Sequence, residues 1–290
     1  MSGAGPRVPD VPGGDGPQPA VVRITDPGDA RLGDYAALTD AALRKRYEHQ
    51  HGVLIAEGPN PVRQLLSSRY PLRSLLVAEE RLTAVGELTA GAGRQQAPVY
   101  AVPQGVLEEV VRFRLHQGVL ACGQRLALPD PGELVAGARR VLVLEGLNDH
   151  ENLGTLFRTA RAFGTDAVLL GPDCADPLYR RSVRVSMGHV LHLPFARTGP
   201  IEPALEDLRA NGFTVLALTP DPAAVDLDTV AGLRGQPLAL LLGAEGPGLT
   251  PGALATADRA VRIPIAAGVD SLNVAAAGAV ACHALRPEER

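Results

Sequence analysis

From residue 138 onward the chain alternates short, unbroken apolar runs with helical patterns, and few folds can accommodate that alternation. The runs are 141–144 (VLVL), 167–170 (AVLL), 190–193, 214–218 (TVLAL), 238–242 (LALLL) and 261–265. Between them Leu153, Leu156, Phe157, Ala160 and Phe163 recur at helical spacing. Ile201 to Ala210 forms a second helical stretch and Leu272 to Leu285 a third. A strand that is apolar at every position has no face to offer water, so these runs predict a parallel sheet covered by helices on both sides. Ligands of such sheets sit beyond the carboxyl ends of the strands. The loops after Leu144, Leu218, Leu242 and Ile265 are therefore the places to search.

The front half reads as a smaller α/β unit over 21–127, with strands expected at 53–56, 75–77, 99–102 and 119–121 and helices at 61–66 and 106–112. Residues 128–137 (LPDPGELVAG) carry two prolines and two glycines and read as a linker to the unit over 138–290. Residues 1–20 hold five glycines and five prolines, too little apolar surface to offset ordering, and predict a disordered tail.

Composition excludes several classes. The net charge of −4 announces no nucleic-acid partner, so any such contact must come from a local patch. No apolar run is long enough to span a bilayer and no signal peptide is read, so neither a membrane nor export is expected. Cys122, Cys174 and Cys282 stand far apart with no CxxC, which argues against a disulfide framework or cysteine zinc site and suits a reducing cytoplasm. Lys45 is the sole lysine; the arginine bias fits GC-rich coding as well as phosphate recognition and carries no functional weight.

Four stretches could carry chemistry. Gly243 to Thr250 (GAEGPGLT) has the GxxxxG spacing of a phosphate loop, but Leu249 stands where that loop needs lysine. The dinucleotide fingerprint fails as well, its third glycine arriving one residue late at Gly252. What remains is a tight glycine turn holding Glu245. Glu145 to Gly154 (EGLNDHENLG) begins like a zinc-protease motif at His150-Glu151 but has Gly154 where the second histidine belongs, so no metal is expected. Asn152 could cap the following helix, on which Arg158 and Arg161 form either a solvated face or a working one. In Val261 to Val274 (VRIPIAAGVDSLNV), Asp270 or Ser271 would cap the last helix. Asn273 lies just inside a helix otherwise apolar and small, where a buried amide needs partners. Tyr179 to Arg184 (YRRSVR) places Arg180, Arg181 and Arg184 together, either as a solvated face or as a phosphate contact.

Taken in order, these loops resemble the SpoU (TrmH-like) branch of the SPOUT RNA methyltransferases. The family's Asn-x5-Arg with an aromatic-Gly helix end matches Asn152, Arg158 and Phe163-Gly164. Its Gly-x-Glu-x-x-Gly-Leu matches Gly243, Glu245, Gly248 and Leu249, and its Ile-Pro with Ser-Leu-Asn-Val matches Ile263-Pro264 and Ser271 to Val274. A weaker Arg-x-Ser-x-Gly appears at Arg184 to Gly188. Ala275 departs from the serine often found there. The front half is similar to the L30e-like substrate domain through Ile55 to Gly58 and His116 to Ala121.

The resemblance implies an α/β fold with a deep trefoil knot in the C-terminal SPOUT domain, preceded by an L30e-like domain, working as a homodimer. It implies 2′-O-methylation of RNA ribose with S-adenosylmethionine, with the two-domain layout favouring 23S rRNA over tRNA. Main chain at Leu218, Gly243, Ile263 and Leu272 would hold the cofactor. Arg158 would be catalytic, with Asn152, Glu245, Ser271 and Asn273 around it, and Arg180, Arg181 and Arg184 would contact RNA. Two other readings stand beside it: an RNA-binding protein without catalysis, and a nicotinamide-dependent oxidoreductase, which the broken fingerprint disfavours.

Overall fold

The computed structural model describes residues 20–287, the side chain of Lys45 excepted. The expected tail therefore lies outside the described residues, apart from Ala20.

The front unit contains β1 (Val21–Arg23), α1 (Ala41–His51), β2 (Val53–Glu57), α2 (Pro59–Leu66), β3 (Leu72–Ala78), α3 (Gly86–Arg94), β4 (Val99–Val102), α4 (Gln104–Val111) and β5 (Val119–Gln124). Its sheet runs β1-β4-β3-β5-β2, parallel as far as β3, with β5 antiparallel to both neighbours. The second unit contains α5 (Pro131–Val135), β6 (Arg140–Glu145), α6 (His150–Ala162), β7 (Ala167–Leu170), α7 (Arg180–Val185), β8 (Phe195–Arg197), α8 (Ile201–Ala210), β9 (Thr214–Leu218), β10 (Val225–Asp226), β11 (Leu238–Gly243), α9 (Pro251–Thr256), β12 (Arg259–Arg262) and α10 (Val274–Ala284). This sheet is parallel throughout, in the order β10-β12-β9-β11-β6-β7-β8.

The strand order positions the site. The chain lays β7 and β8 to one side of β6, then crosses back to form the other side, and β11 inserts between β6 and β9. At such a reversal of direction the loops on the carboxyl side part and leave a crevice. The apolar runs form these strands because both faces are covered: Leu142, Leu144, Leu240 and Leu242 pack under α6 and α10, whereas Val141, Val143, Ala239 and Leu241 pack against α8 and α9. Phe157 of α6 meets Phe195 of β8 edge to face at 5.7 Å, a pairing worth about 0.5–1.5 kcal/mol beyond its buried area.

Several expectations need correction. Residues 190–193 form no strand. Gly188, in the left-handed region at φ +81°, turns the chain into a 3-10 helix at His189–Leu191, and the strand follows at Phe195. Val190, Leu191 and Leu193 are apolar because they are buried, not because they pair. The run at 261–265 stops as a strand at Arg262, ahead of Pro264, which has no N–H to donate. The linker 128–137 is partly helical: Asp130 caps α5 by accepting from Gly132 and Glu133, and Val135 is buried beneath the second sheet. Neither Asp270 nor Ser271 caps the last helix. Asn273 does, its Oδ1 accepting from Ala275 and Ala276 at 2.9 and 3.1 Å. Asn152 is likewise not the cap of α6; that role belongs to Asp149, which accepts from Glu151 and Asn152.

The two units share one apolar cluster, in which Val62 and Leu65 of α2 join Val183, Val190 and Leu191. A polar hub reinforces the seam. Arg125 donates to Asp176 at 2.6 Å and lies 3.3 Å from Glu48, which with Arg44 is almost fully buried. Burial raises the Glu48 carboxyl despite both guanidiniums. No helix among the described residues is long and apolar enough to cross a membrane.

Candidate active site

The loops at the carboxyl ends of β9, β11 and β12 converge with the first turn of α10. They enclose a cleft of about 580 Å³, within the range of roughly 300–1,000 Å³ usual for small-molecule sites. Leu218, Gly243, Ile263 and Leu272 all line it, as do Glu245, Ser271 and Asn273.

Asn273 ties this end of the sheet together. Because its Oδ1 is occupied by the two N–H groups of α10, its Nδ2 must point the other way. There it donates to Glu245 Oε1 at 2.6 Å and to Asn152 Oδ1 at 2.9 Å. The Val274 N–H also reaches Glu245 Oε1, at 3.4 Å. The amide that the sequence left without partners thus makes four hydrogen bonds, and side chains from the loop after β11 and from the first turn of α6 meet at it. Asn152 is free for this contact because Asp149 has taken over the capping of α6.

The glycine turn after β11 is closed by its own backbone. Gly248 N–H donates to Ala244 O at 3.1 Å, and Gly246 and Gly248 hold φ of +86° and +70°. A Cβ on Gly243 would meet the Gly248 carbonyl oxygen and the Leu249 nitrogen at 2.5 Å. The glycine requirement at 243 comes from this loop folding back on itself, rather than from a ligand's approach.

Sequence reasoning missed the fastening between β6 and this loop. Glu145, level with Gly243 in the parallel register, accepts from Thr250 N at 2.9 Å and Thr250 Oγ1 at 2.8 Å, and Thr250 in turn caps α9. Glu145 is the first polar residue after VLVL, which is the only signal it gives.

Arg158 lies apart from the cleft lining. It is exposed on α6 and makes no hydrogen bond or ion pair among the described residues. Arg161, one turn on, donates to His189 Nδ1 at 2.7 Å and reaches Gln64 of α2. A guanidinium has no acceptor to offer, so His189 Nδ1 accepts and its proton resides on Nε2. Burial, then Arg161 and Arg158, lower the His189 pKa; burial and Arg161 lower that of His192.

The arginine cluster on α7 is not one positive spot. Arg180 is spent on Glu57 and on Leu38 O, and lies 5.2 Å from the Phe113 ring centroid. Arg181 pairs with Glu151 at 2.6 Å; Arg184, half exposed, lies 3.8 Å from Glu57. Among the described residues no group of three His, Cys, Asp or Glu could hold a metal ion.

The chain is similar to known proteins over most of its length. Residues 139–283 match the profile of the SpoU rRNA Methylase family, and residues 55–125 match that of RNA 2′-O ribose methyltransferase substrate binding. The chain is 45% identical to an uncharacterized tRNA/rRNA methyltransferase of Mycobacterium tuberculosis, covering 90% of each. It is 26% identical to a putative TrmH family tRNA/rRNA methyltransferase of Staphylococcus haemolyticus, over 78% of this chain and 92% of that one. Among solved structures it is similar to an AdoMet-bound rRNA methyltransferase from Sinorhizobium meliloti, with a TM-score of 0.78 at 27% identity, covering 91% and 97%. The SpoU methyltransferase AviRb from Streptomyces viridochromogenes shares the fold, with a TM-score of 0.73 at 23% identity over 89% and 97%.

Proposed function

The chain belongs to the SpoU rRNA methylase family, and from that membership and the geometry of the cleft we propose that it methylates a ribose 2′-hydroxyl of RNA using S-adenosylmethionine. The observation that carries the reading is the convergence on Asn273 of Glu245 and Asn152, beside a cleft lined by Leu218, Gly243, Ile263 and Leu272. The cleft suits the cofactor: Leu218, Ile263 and Leu272 offer apolar surface to an adenine, and loop backbone at Gly243 offers hydrogen-bonding groups to its polar parts. When bound, S-adenosylmethionine supplies an electrophilic methyl group for in-line displacement.

The residues of the chain do the positioning. Asn273, Glu245 and Asn152 hold the loops in one arrangement, so the methyl donor and the hydroxyl meet without reorganisation. Ser271 completes the hydrogen-bonding rim. Arg158, always protonated, is a donor rather than a base. It clamps the phosphate beside the target ribose and orients the hydroxyl, and that phosphate receives the proton.

In this reading residues 21–127 present the RNA, residues 138–290 carry catalysis, and the C-terminal segment is threaded as a trefoil knot. The last point follows from the family resemblance. A cytoplasmic homodimer fits too: Val269 and Val280, near the cleft, are 51% and 44% exposed and would be covered by a second copy. Ribosomal RNA is the preferred substrate, supported by the likeness to the Sinorhizobium meliloti rRNA methyltransferase.

The test is transfer of radiolabelled methyl from S-adenosylmethionine to separated ribosomal and transfer RNA fractions. Label in the large-subunit RNA is expected. Label in transfer RNA alone would overturn the substrate assignment. Binding of RNA without transfer would leave a catalytically silent RNA-binding protein.

A further inference from the structure

Three sequence features that lie outside the cofactor cleft converge on one cavity. Glu57 lies in the Ile55–Gly58 stretch, His116 and Gln117 open the stretch running to Ala121, and Arg180 and Arg184 belong to the cluster on α7. With Asn60, Phe113 and Arg114 they line a cleft of about 510 Å³ at the seam between the two units. Arg180 and Arg184 also border a second hollow of about 330 Å³, lined by His150, Tyr179 and Arg181. The two arginines therefore form a ridge between two recesses, in a part of the molecule that shares no lining residue with the cofactor cleft.

The members of this cavity are differently committed. Arg180 is fixed by Glu57 and Leu38 O against the Phe113 ring, so its charge is matched and its plane forms part of the wall. Arg184 is half exposed and only loosely held by Glu57 at 3.8 Å. Arg114 is exposed and has no hydrogen bond or ion pair among the described residues. Two guanidiniums with unused donors thus flank an aromatic ring, Met187 and the carboxamide of Gln117. Guanidinium forks match phosphate oxygens, an aromatic and apolar wall matches the face of a base, and a carboxamide matches a base edge.

We propose that this seam cleft is a subsite for an unpaired nucleotide of the RNA substrate. Arg114 and Arg184 take its phosphate, Phe113 and Met187 receive its base, and Gln117 meets the base edge. The base must be splayed out to enter, so the subsite selects single-stranded over paired RNA. The choice of RNA as ligand rests on the methyltransferase reading; the location and chemistry of the cleft do not.

The experiment is fluorescence anisotropy of the full chain with a fluorescein-labelled, mixed-sequence single-stranded RNA and with the same strand annealed to its complement. It is run beside calorimetric titration with S-adenosylmethionine. Arg114→Ala is expected to weaken single-strand binding about tenfold, the scale of one charge-assisted phosphate contact, and Gln117→Ala several-fold. Arg94→Ala, an exposed arginine at the end of α3, controls for net charge and is expected to leave binding unchanged. Cofactor affinity should be the same in all three variants. Equal losses for Arg94→Ala and Arg114→Ala, or equal affinity for single-stranded and annealed RNA, would overturn the proposal. A chain that lacks affinity for S-adenosylmethionine yet shows the Arg114 and Gln117 losses would overturn the methyltransferase reading while leaving the subsite standing.

Discussion

Asn273 donates through Nδ2 to Asn152 Oδ1 at 2.9 Å, joining the cap of the last helix to the first turn of α6 across 121 residues of sequence. The same nitrogen donates to Glu245 at 2.6 Å. One amide therefore does two jobs, capping α10 with its oxygen and locking the cleft loops with its nitrogen, and substitutions can separate them. Serine caps a helix about as well as asparagine but is too short to reach Asn152 and Glu245. Asn273→Ser is expected to unfold near the wild-type temperature yet bind S-adenosylmethionine at least tenfold more weakly. Asn273→Ala should also lose about 1 kcal/mol of stability with the cap. Thermal unfolding and calorimetric titration of both variants check this.

Arg158 is exposed and lies outside the cleft lining. Arg158→Ala is expected to leave cofactor affinity unchanged while lowering turnover by roughly a hundredfold or more, the scale of removing one group that stabilises charge in a transition state. Arg158→Lys, with a point charge in place of a fork, should recover only part of the loss. Steady-state methyl transfer at saturating cofactor measures both.

Gly243 has no room for a methyl group, because the Gly248 carbonyl and the Leu249 nitrogen stand in its place. Gly243→Ala must push the loop open, at a cost of about 1–3 kcal/mol. It should lose cofactor binding even at temperatures where it remains folded. Unchanged affinity would mean that the turn's own closure is dispensable.

His189 and His192 respond to acid. Burial and Arg161 lower both pKa values in the folded chain, with Arg158 adding to the effect at His189, while the Gln64 carbonyl pulls His192 the other way. Unfolded histidine titrates near pH ~6.5, so just below that pH the unfolded chain binds more protons than the folded one. Stability is therefore full above about pH 6.5 and is lost as pH falls below it. Glutamine at 189 keeps an acceptor for Arg161 without titrating. Melting temperatures between about pH 7.5 and 5.5 should fall less steeply for the His189→Gln, His192→Gln double variant than for the wild type.

Much of this was legible in the sequence where local physics decides. The runs VLVL, AVLL, TVLAL and LALLL are strands because nothing but a doubly covered sheet buries them, and the loop positions followed from that. Val190, Leu191 and Leu193 misled because burial and pairing leave the same apolar signature, and the turn at Gly188 depends on a backbone angle that composition does not show. Asp270, Ser271 and Asn273 are all capable caps. Glu245 and Asn152 decide among them, and both are distant in sequence. The Glu145–Thr250 fastening exists only because β11 inserts between β6 and β9, a topology that no periodicity encodes. Leu218, Gly243, Ile263 and Leu272 were named by the family resemblance alone; strand periodicity points to the loops after Leu218, Leu242 and Ile265 but not to these particular residues.

The central claim is that the cleft delivers a methyl group to a ribose oxygen rather than to a base. Labelled RNA from the transfer reaction, digested with alkali, discriminates directly, since a 2′-O-methyl group blocks cleavage of the adjoining phosphodiester. Label recovered in an alkali-resistant dinucleotide is the predicted result. Label recovered in a mononucleotide, carried on the base, would contradict the account.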